Sequence, residues 1–176
     1  SAALAAKLLH KQAPGKPLSC GVIGCGYIGY ESVKYLQAAF PDLVNLHLMD
    51  KDLQRAEHLA NRLQQVSSPV EINCSQVEEE AFGCDIVVFT TTAGTPWVES
   101  SEVFQKDATV LHVSLRDLAP EVLLSSQNIA DDVDHLCRAD TSAHLTEIQV
   151  GNREFIQSSL PQILNAQQPF TREPGK

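Results

Sequence analysis

Residues 20–31, CGVIGCGYIGYE, place four glycines between an apolar run and a segment of helical spacing. Within them Gly24-Cys25-Gly26-Tyr27-Ile28-Gly29 forms a G-x-G-x-x-G at the end of one predicted element and the start of the next. Glycine at the first position accommodates a tight turn, at the second leaves no Cβ to hold a phosphate away, and at the third lets helix and strand approach closely. The amide N–H groups opening the helix would then face anionic oxygens. Such a loop also serves plain turns, so the second half of the pattern matters. Asp50 closes the next apolar run, LHLMD, and 50 − 29 = 21 residues separate it from the last glycine. That is close to the spacing at which an acid accepts hydrogen bonds from both hydroxyls of an adenosine ribose. The six loop residues and Asp50 are thus expected to hold a dinucleotide. A carboxylate repels a ribose phosphate, which favours NAD over NADP, a preference that neighbouring Lys51 and Arg55 weaken.

The rest of the chain repeats the alternation. LSCGVIG (18–24), LVNLHLMD (43–50), VEINC (70–74), DIVVFTT (85–91) and ATVLHVSL (108–115) read as strands, and NIADDVDHL (128–136) as a sixth. YESVKYLQAAF (30–40) carries Val33, Leu36 and Phe40 at helical spacing before Pro41, and KDLQRAEHLANRLQQV (51–66) lines up Leu53, Ala56, Leu59 and Leu63. A last helix is expected over 153–167, kinked or split by Pro161. Strands alternating with helices predict an α/β fold of the Rossmann type: a doubly wound, mainly parallel sheet of order 3-2-1-4-5-6 with helices on both faces. A length of 176 residues suits one domain. Its expected parts are a joining helix (1–14), a core (18–150), a C-terminal helix (151–168) and a polar tail (169–176).

In such a sheet, ligands bind outside the carboxyl ends of the strands. There the sequence offers Thr91 and Thr92 after the fourth strand and Ser114, Arg116 and Asp117 after the fifth. The threonines either bond a cofactor or are ordinary turn residues. Asp117 either orients a substrate amine or water, or serves as a helix N-terminal acid or surface ion-pair partner. Asp131, Asp132, Asp134, His135, Cys137 and His144 fit no common zinc or calcium spacing and read as a solvated loop, so no metal is expected. Cys25 sits at a helix N-terminus, a place that lowers a thiol pKa, but a bound cofactor would bury it; it reads as a small filler.

Twenty-two acidic against 13 basic side chains give a formal net charge of −9 without a Lys/Arg cluster, which excludes the electrostatic footprint of a nucleic-acid surface. No apolar stretch reaches the roughly 18 residues needed to span a bilayer, and SAALAAKLLHKQ is interrupted by Lys7 and His10. Five cysteines without a CxxC pair suggest free thiols and a cytoplasmic location.

The segments GVIGCGYIGYESVKYLQAAFP, TTTAGTPW, ATVLHVSLRDLAPEVLL, DDVDHLCRADTSAHL and GNREFI together resemble the ornithine cyclodeaminase/mu-crystallin superfamily. Within it they are most similar to the branch that makes 2,3-diaminopropionate for siderophores and peptide antibiotics. The resemblance implies an NAD-dependent dehydrogenase that cleaves an N-(1-amino-1-carboxy-2-ethyl)glutamate oxidatively to 2,3-diaminopropionate and 2-oxoglutarate. It carries cofactor contacts to the glycine loop, Asp50, Thr91, Thr92 and Ser114, and the carboxylate facing the substrate amine to Asp117. Family proteins are about twice as long, with a substrate domain built from flanking segments that supply a Lys and an Arg for the substrate carboxylate. An Arg-Thr pair that helps hold pyrophosphate is also missing here. The expectation is therefore the cofactor-binding half of a longer polypeptide: inactive and monomeric alone, and homodimeric when joined to its substrate domain. Two alternatives stay open. One is another reaction of the family, such as cyclodeaminase, amino-acid dehydrogenase or imine reductase; the other is a non-catalytic ligand-binding or regulatory module.

Overall fold

The computed structural model describes residues 1–11, 16–66, 70–165 and 170–173. The chain divides into two compact units, Ser1–Thr92 with Val103–Ser114, and Ala93–Glu102 with Leu115–Lys176.

The first unit is built on five parallel strands, β1 (Leu18–Ile23), β2 (Leu43–Met49), β3 (Glu71–Ser75), β4 (Ile86–Phe89) and β5 (Thr109–His112), in the order β3-β2-β1-β4-β5. β1 is apolar at nearly every position because helices cover both faces of a parallel sheet. On one face Leu18, Cys20, Val22, Leu46, Leu48, Ile86 and Val88 pack against α1 (Ala2–Leu9), α2 (Tyr27–Ala39) and α3 (Leu53–Gln64). Val33 and Leu36 of α2, and Ala56, Leu59 and Leu63 of α3, form the buried stripes that helical periodicity marks. On the other face, α4 (Glu79–Phe82) crosses β1 so closely that a Cβ at Gly21 would overlap the Ala81 carbonyl. Phe82, Phe89 and Phe104 meet there edge to face or tilted, with centroids 5.1 to 6.1 Å apart.

Two boundaries differ from the sequence reading. α2 begins at Tyr27 rather than Tyr30, directly on the glycine loop, with Gly26 as its N-cap. The sixth strand does not extend the sheet. β6 (Asn128–Ala130) pairs in parallel with β7 (Ile156–Ser159) in a two-stranded sheet of the second unit.

That unit also contains α5 (Pro120–Leu124), α6 (Val133–Leu136), α7 (Ser142–Val150) and α8 (Leu160–Leu164). α5 packs on α7, which ends at Gly151 in the left-handed conformation with φ 74°. The helix expected over 153–167 is replaced by β7 and α8. Pro161 lacks an N–H and is tolerated only in a helix's first turn, so it opens α8 instead of kinking a longer helix. Gln162 secures that start, its Oε1 accepting the Ser159 N–H at 2.9 Å. Residues 12–14 of the expected joining helix, 166–168 of the expected C-terminal helix, and 169 and 174–176 of the tail lie outside the described residues. No helix among the described residues is long and apolar enough to cross a membrane.

Candidate functional site

Parallel strands bring their carboxyl ends to one edge of the sheet, and the first loop at that edge is Gly24–Gly29. Gly24 turns the chain with φ 93°, and a Cβ there would lie 2.8 Å from the Thr90 carbonyl oxygen. Backbone angle and space both demand glycine. At Gly29 a Cβ would meet Gly24 O at 2.7 Å and Thr90 Oγ1 at 3.1 Å, so α2 leans on the strand because this position has no side chain. Gly26 is different: its φ of −83° suits any residue and a Cβ there would meet nothing within 4 Å. The absence of a side chain at 26 serves nothing inside the described fold.

Gly26 caps α2 without a side chain, and Tyr27 and Ile28 are 67% and 53% exposed. Helix geometry leaves the N–H groups of residues 26–29 without intrahelical acceptors. The positive end of the helix macrodipole points the same way. An open approach, orphan donors and a helix N-terminus fit a diphosphate. Asp50, immediately after β2, turns its carboxylate toward this loop: Oδ2 accepts the Cys25 N–H at 2.8 Å and Oδ1 accepts the Asp52 N–H at 3.0 Å. A carboxylate offers about four lone-pair sites, so capacity remains for sugar hydroxyls. Arg55 leans toward Asp52 at 3.8 Å, while Lys51 is exposed.

The Cys25 thiol is buried and donates to Met49 O at 3.5 Å. Burial, reinforced by the Asp50 carboxylate, pushes its pKa up to about 12, the reverse of the lowering that its helix-end position suggests. The thiol is packing, as its reading as a filler implies.

After β4, Thr91 is half-buried and Thr92 exposed, both at the carboxyl edge. Ser114 follows β5 there, held by its N–H to Phe89 O at 3.0 Å. Thr90, which the sequence reading passed over, donates its hydroxyl to Gly24 O at 2.6 Å. The signal that could have found it is its place one residue past a strand paired with β1.

Asp117 lies in the second unit and is wholly buried, so it is not a surface ion-pair acid. The indole N–H of Trp97 donates to its Oδ1 at 2.9 Å, and the backbone N–H groups of Trp97 and Val98 donate to its carbonyl, each at 3.0 Å. Arg116 serves the fold of the same unit. Its Nε donates to Asp140 O at 2.7 Å and its Nη2 to Ala139 O at 2.9 Å, pinning two non-glycine residues at φ 53° and 55°. The acidic 131–144 stretch is spent on helix starts and ion pairs. Asp132 accepts the His135 N–H at 2.8 Å, and Arg153 bridges Asp134 and Glu147, each at 2.8 Å. Among the described residues, no group of three or more His, Cys, Asp or Glu could hold a metal ion.

Residues 1–132 match the sequence model of the ornithine cyclodeaminase/mu-crystallin family, which covers the sheet, the glycine loop and Asp50. The chain belongs to the ornithine cyclodeaminase/mu-crystallin family. Several solved structures share the fold. The Thermococcus litoralis Δ1-pyrroline-2-carboxylate reductase in complex with NADH and L-proline superposes with a TM-score of 0.84 at 17% identity, covering 99% of this chain and 54% of its own. An archaeal alanine dehydrogenase dimer with bound NAD gives 0.80 at 18% identity over 99% and 54%. The iminosuccinate reductase of Paracoccus denitrificans in complex with NAD+ gives 0.80 at 13% identity over 98% and 53%. This family member thus spans about half the length of the solved structures it matches. No curated protein matches it significantly.

Proposed function

We propose that this family member binds NAD along the carboxyl edge of its parallel sheet and is the cofactor-binding half of an oxidoreductase acting on a carbon–nitrogen bond of an amino-acid-derived substrate. The observation that carries the reading is the meeting of Asp50 with the Gly24–Gly29 loop. A strand-end carboxylate is bonded to the loop amide beside an open Gly26 and the uncapped start of α2. The N–H groups of residues 26–29 bind the diphosphate, and Asp50 accepts from the adenosine ribose and excludes a 2′-phosphate. Thr91, Thr92 and Ser114 bond the cofactor farther along the same edge. When bound, NAD supplies two-electron hydride chemistry. The three cofactor-bound neighbours, by name a dehydrogenase of alanine and reductases of pyrroline-2-carboxylate and iminosuccinate, support a substrate of the amino-acid or imine class.

Within that class we assign oxidative cleavage of an N-(1-amino-1-carboxy-2-ethyl)glutamate to 2,3-diaminopropionate and 2-oxoglutarate, as in siderophore or peptide-antibiotic biosynthesis. The resemblance of VSLRDLAPE and DDVDHLCRA to that branch supports it. The same resemblance assigns to Asp117 the carboxylate that faces the substrate amine. We place the substrate domain on the same polypeptide, with residues 1–176 alone monomeric and without turnover and the longer protein a homodimer; the five free cysteines support a cytoplasmic location. Titration calorimetry tests the cofactor assignment: NAD binds, NADP binds more weakly, and equal affinity for the two or none for either refutes it. The longer protein given this glutamate derivative and NAD should show rising absorbance of reduced nicotinamide; formation of proline and ammonia from ornithine would replace the assignment.

One observation favours a second reading, a ligand-binding module without turnover: Asp117 has no exposed surface and its carboxylate already accepts from Trp97. That reading predicts NAD binding with no nicotinamide reduction by the longer protein on any candidate substrate, and any measured turnover refutes it.

A further inference from the structure

The peptide unit between Gly24 and Cys25 is held at both ends by side chains one residue past the ends of two different strands. Its carbonyl accepts the Thr90 hydroxyl at 2.6 Å, and its N–H donates to Asp50 Oδ2 at 2.8 Å. A trans peptide points C=O and N–H in opposite directions, so two such partners fix the rotation of the whole plane. Thr90 is itself fixed, because its N–H donates to Ile23 O at 2.8 Å and so extends the ladder between β1 and β4 by one residue. The Gly24 N–H donates to Met49 O at 2.9 Å. Gly24, with φ 93°, is the residue whose backbone can rotate most freely were these bonds absent.

We infer that Thr90 is a positioning residue for the phosphate-binding loop, acting jointly with Asp50 through the Gly24–Cys25 peptide plane. The inference rests on the NAD reading and deepens it. The plane sets the direction in which the chain enters Gly26, and hence the aim of the N–H groups that open α2. Asp50 therefore has two roles, one toward the ribose and one toward the loop, and Thr90 is the counterweight to the second. Thr90 fits this place closely: a Cβ on Gly29 would lie 3.1 Å from its Oγ1, so loop, helix and hydroxyl occupy one tight junction.

The test uses ADP-ribose, which carries the diphosphate and the adenosine ribose, with binding and thermal unfolding measured side by side. Thr90→Val removes the donor and sets a methyl against the Gly24 carbonyl, so the unfolding midpoint should fall; ADP-ribose binding, measured well below that midpoint, should weaken about tenfold, the equivalent of one hydrogen bond. Thr90→Ser should restore wild-type affinity. Because Thr90 and Asp50 hold one plane, the loss in Thr90→Val/Asp50→Ala should be smaller than the product of the two single losses. Unchanged affinity in Thr90→Val, a Thr90→Ser variant as weak as Thr90→Val, or fully multiplicative losses would each overturn the inference. Should Thr90→Val not fold, hydrogen exchange decides on the wild type and Thr90→Ser: both should protect the Cys25 amide, and an unprotected Cys25 amide in either overturns the inference. A wild-type chain that folds but binds neither ADP-ribose nor NAD refutes the cofactor reading instead.

Discussion

Gly26→Ala separates the cofactor site from the fold more cleanly than any other single change. The residue has φ −83° and ψ −168°, angles open to alanine, and a Cβ there meets nothing within 4 Å. Replacing glycine narrows the unfolded ensemble and gains about 0.4–1 kcal/mol. Alanine is a poorer N-cap than glycine, which costs about 0.5–1 kcal/mol. The two nearly offset, so stability should change by less than about 1 kcal/mol, equivalent to a midpoint shift under about 4 °C for a chain of this size. In the proposed site the same methyl stands where the diphosphate would approach. Losing two charge-assisted hydrogen bonds of about 1.5 kcal/mol each amounts to about 3 kcal/mol, roughly a hundredfold in affinity. Calorimetry with NAD and a differential scan on one preparation read both numbers. A Gly26→Ala protein that binds NAD as the wild type does would refute the placement of the diphosphate at this loop.

Gly29→Ala should behave in the opposite sense, losing about 1–3 kcal/mol of stability in denaturant titrations, because the Gly24 carbonyl 2.7 Å from the new Cβ is backbone and cannot yield. Asp50→Asn should lower the NAD-over-NADP affinity ratio by about fivefold or more, since one unit charge at about 4 Å is worth about 1–4 kcal/mol between water and a protein surface; an unchanged ratio would remove Asp50 from the ribose. For Asp85, desolvation raises the carboxyl pKa, but hydrogen bonds from the Ser19 N–H, the Ser19 hydroxyl, Gln105 and Lys16 outweigh it and leave the group below its usual range. A depressed folded pKa gives stability that is present above the unfolded value and lost as pH falls through the folded one. Asp85→Asn should therefore flatten the acid limb of stability below about pH 4; an unaltered limb would show that these bonds contribute nothing. Cys25, with its pKa near 12, should resist iodoacetamide at pH 8 in the folded protein and react once unfolded.

The parallel sheet was legible because each strand and helix carries its own periodicity. β1 and β2 are apolar runs closed by Gly24 and Asp50, and α3 repeats buried residues at Ala56, Leu59 and Leu63. The stretch 153–167 misled for a local reason. Its apolar residues fit a helix until Pro161 is allowed to begin one, and the strand before it exists only because β6, distant in sequence, pairs with it. The 128–136 run failed in the same way. Three of its residues form a strand, but which sheet they join depends on a partner about 28 residues on, and no periodicity encodes a partner.

At the site, the sequence by itself determined the glycines that backbone angle and close approach require, Gly24 and Gly29, and marked Gly26 and Asp50 by their spacing alone. Only the tertiary structure decided how they cooperate. It turned the Asp50 carboxylate onto the Cys25 amide, brought Thr90, one residue past β4, against the Gly24 carbonyl, and buried Asp117 with its Oδ1 bonded to the indole N–H of Trp97. Composition and spacing report what each residue requires of its own backbone. Hydrogen bonds between residues 25 or 66 positions apart arise only when neighbouring strands fix their ends side by side.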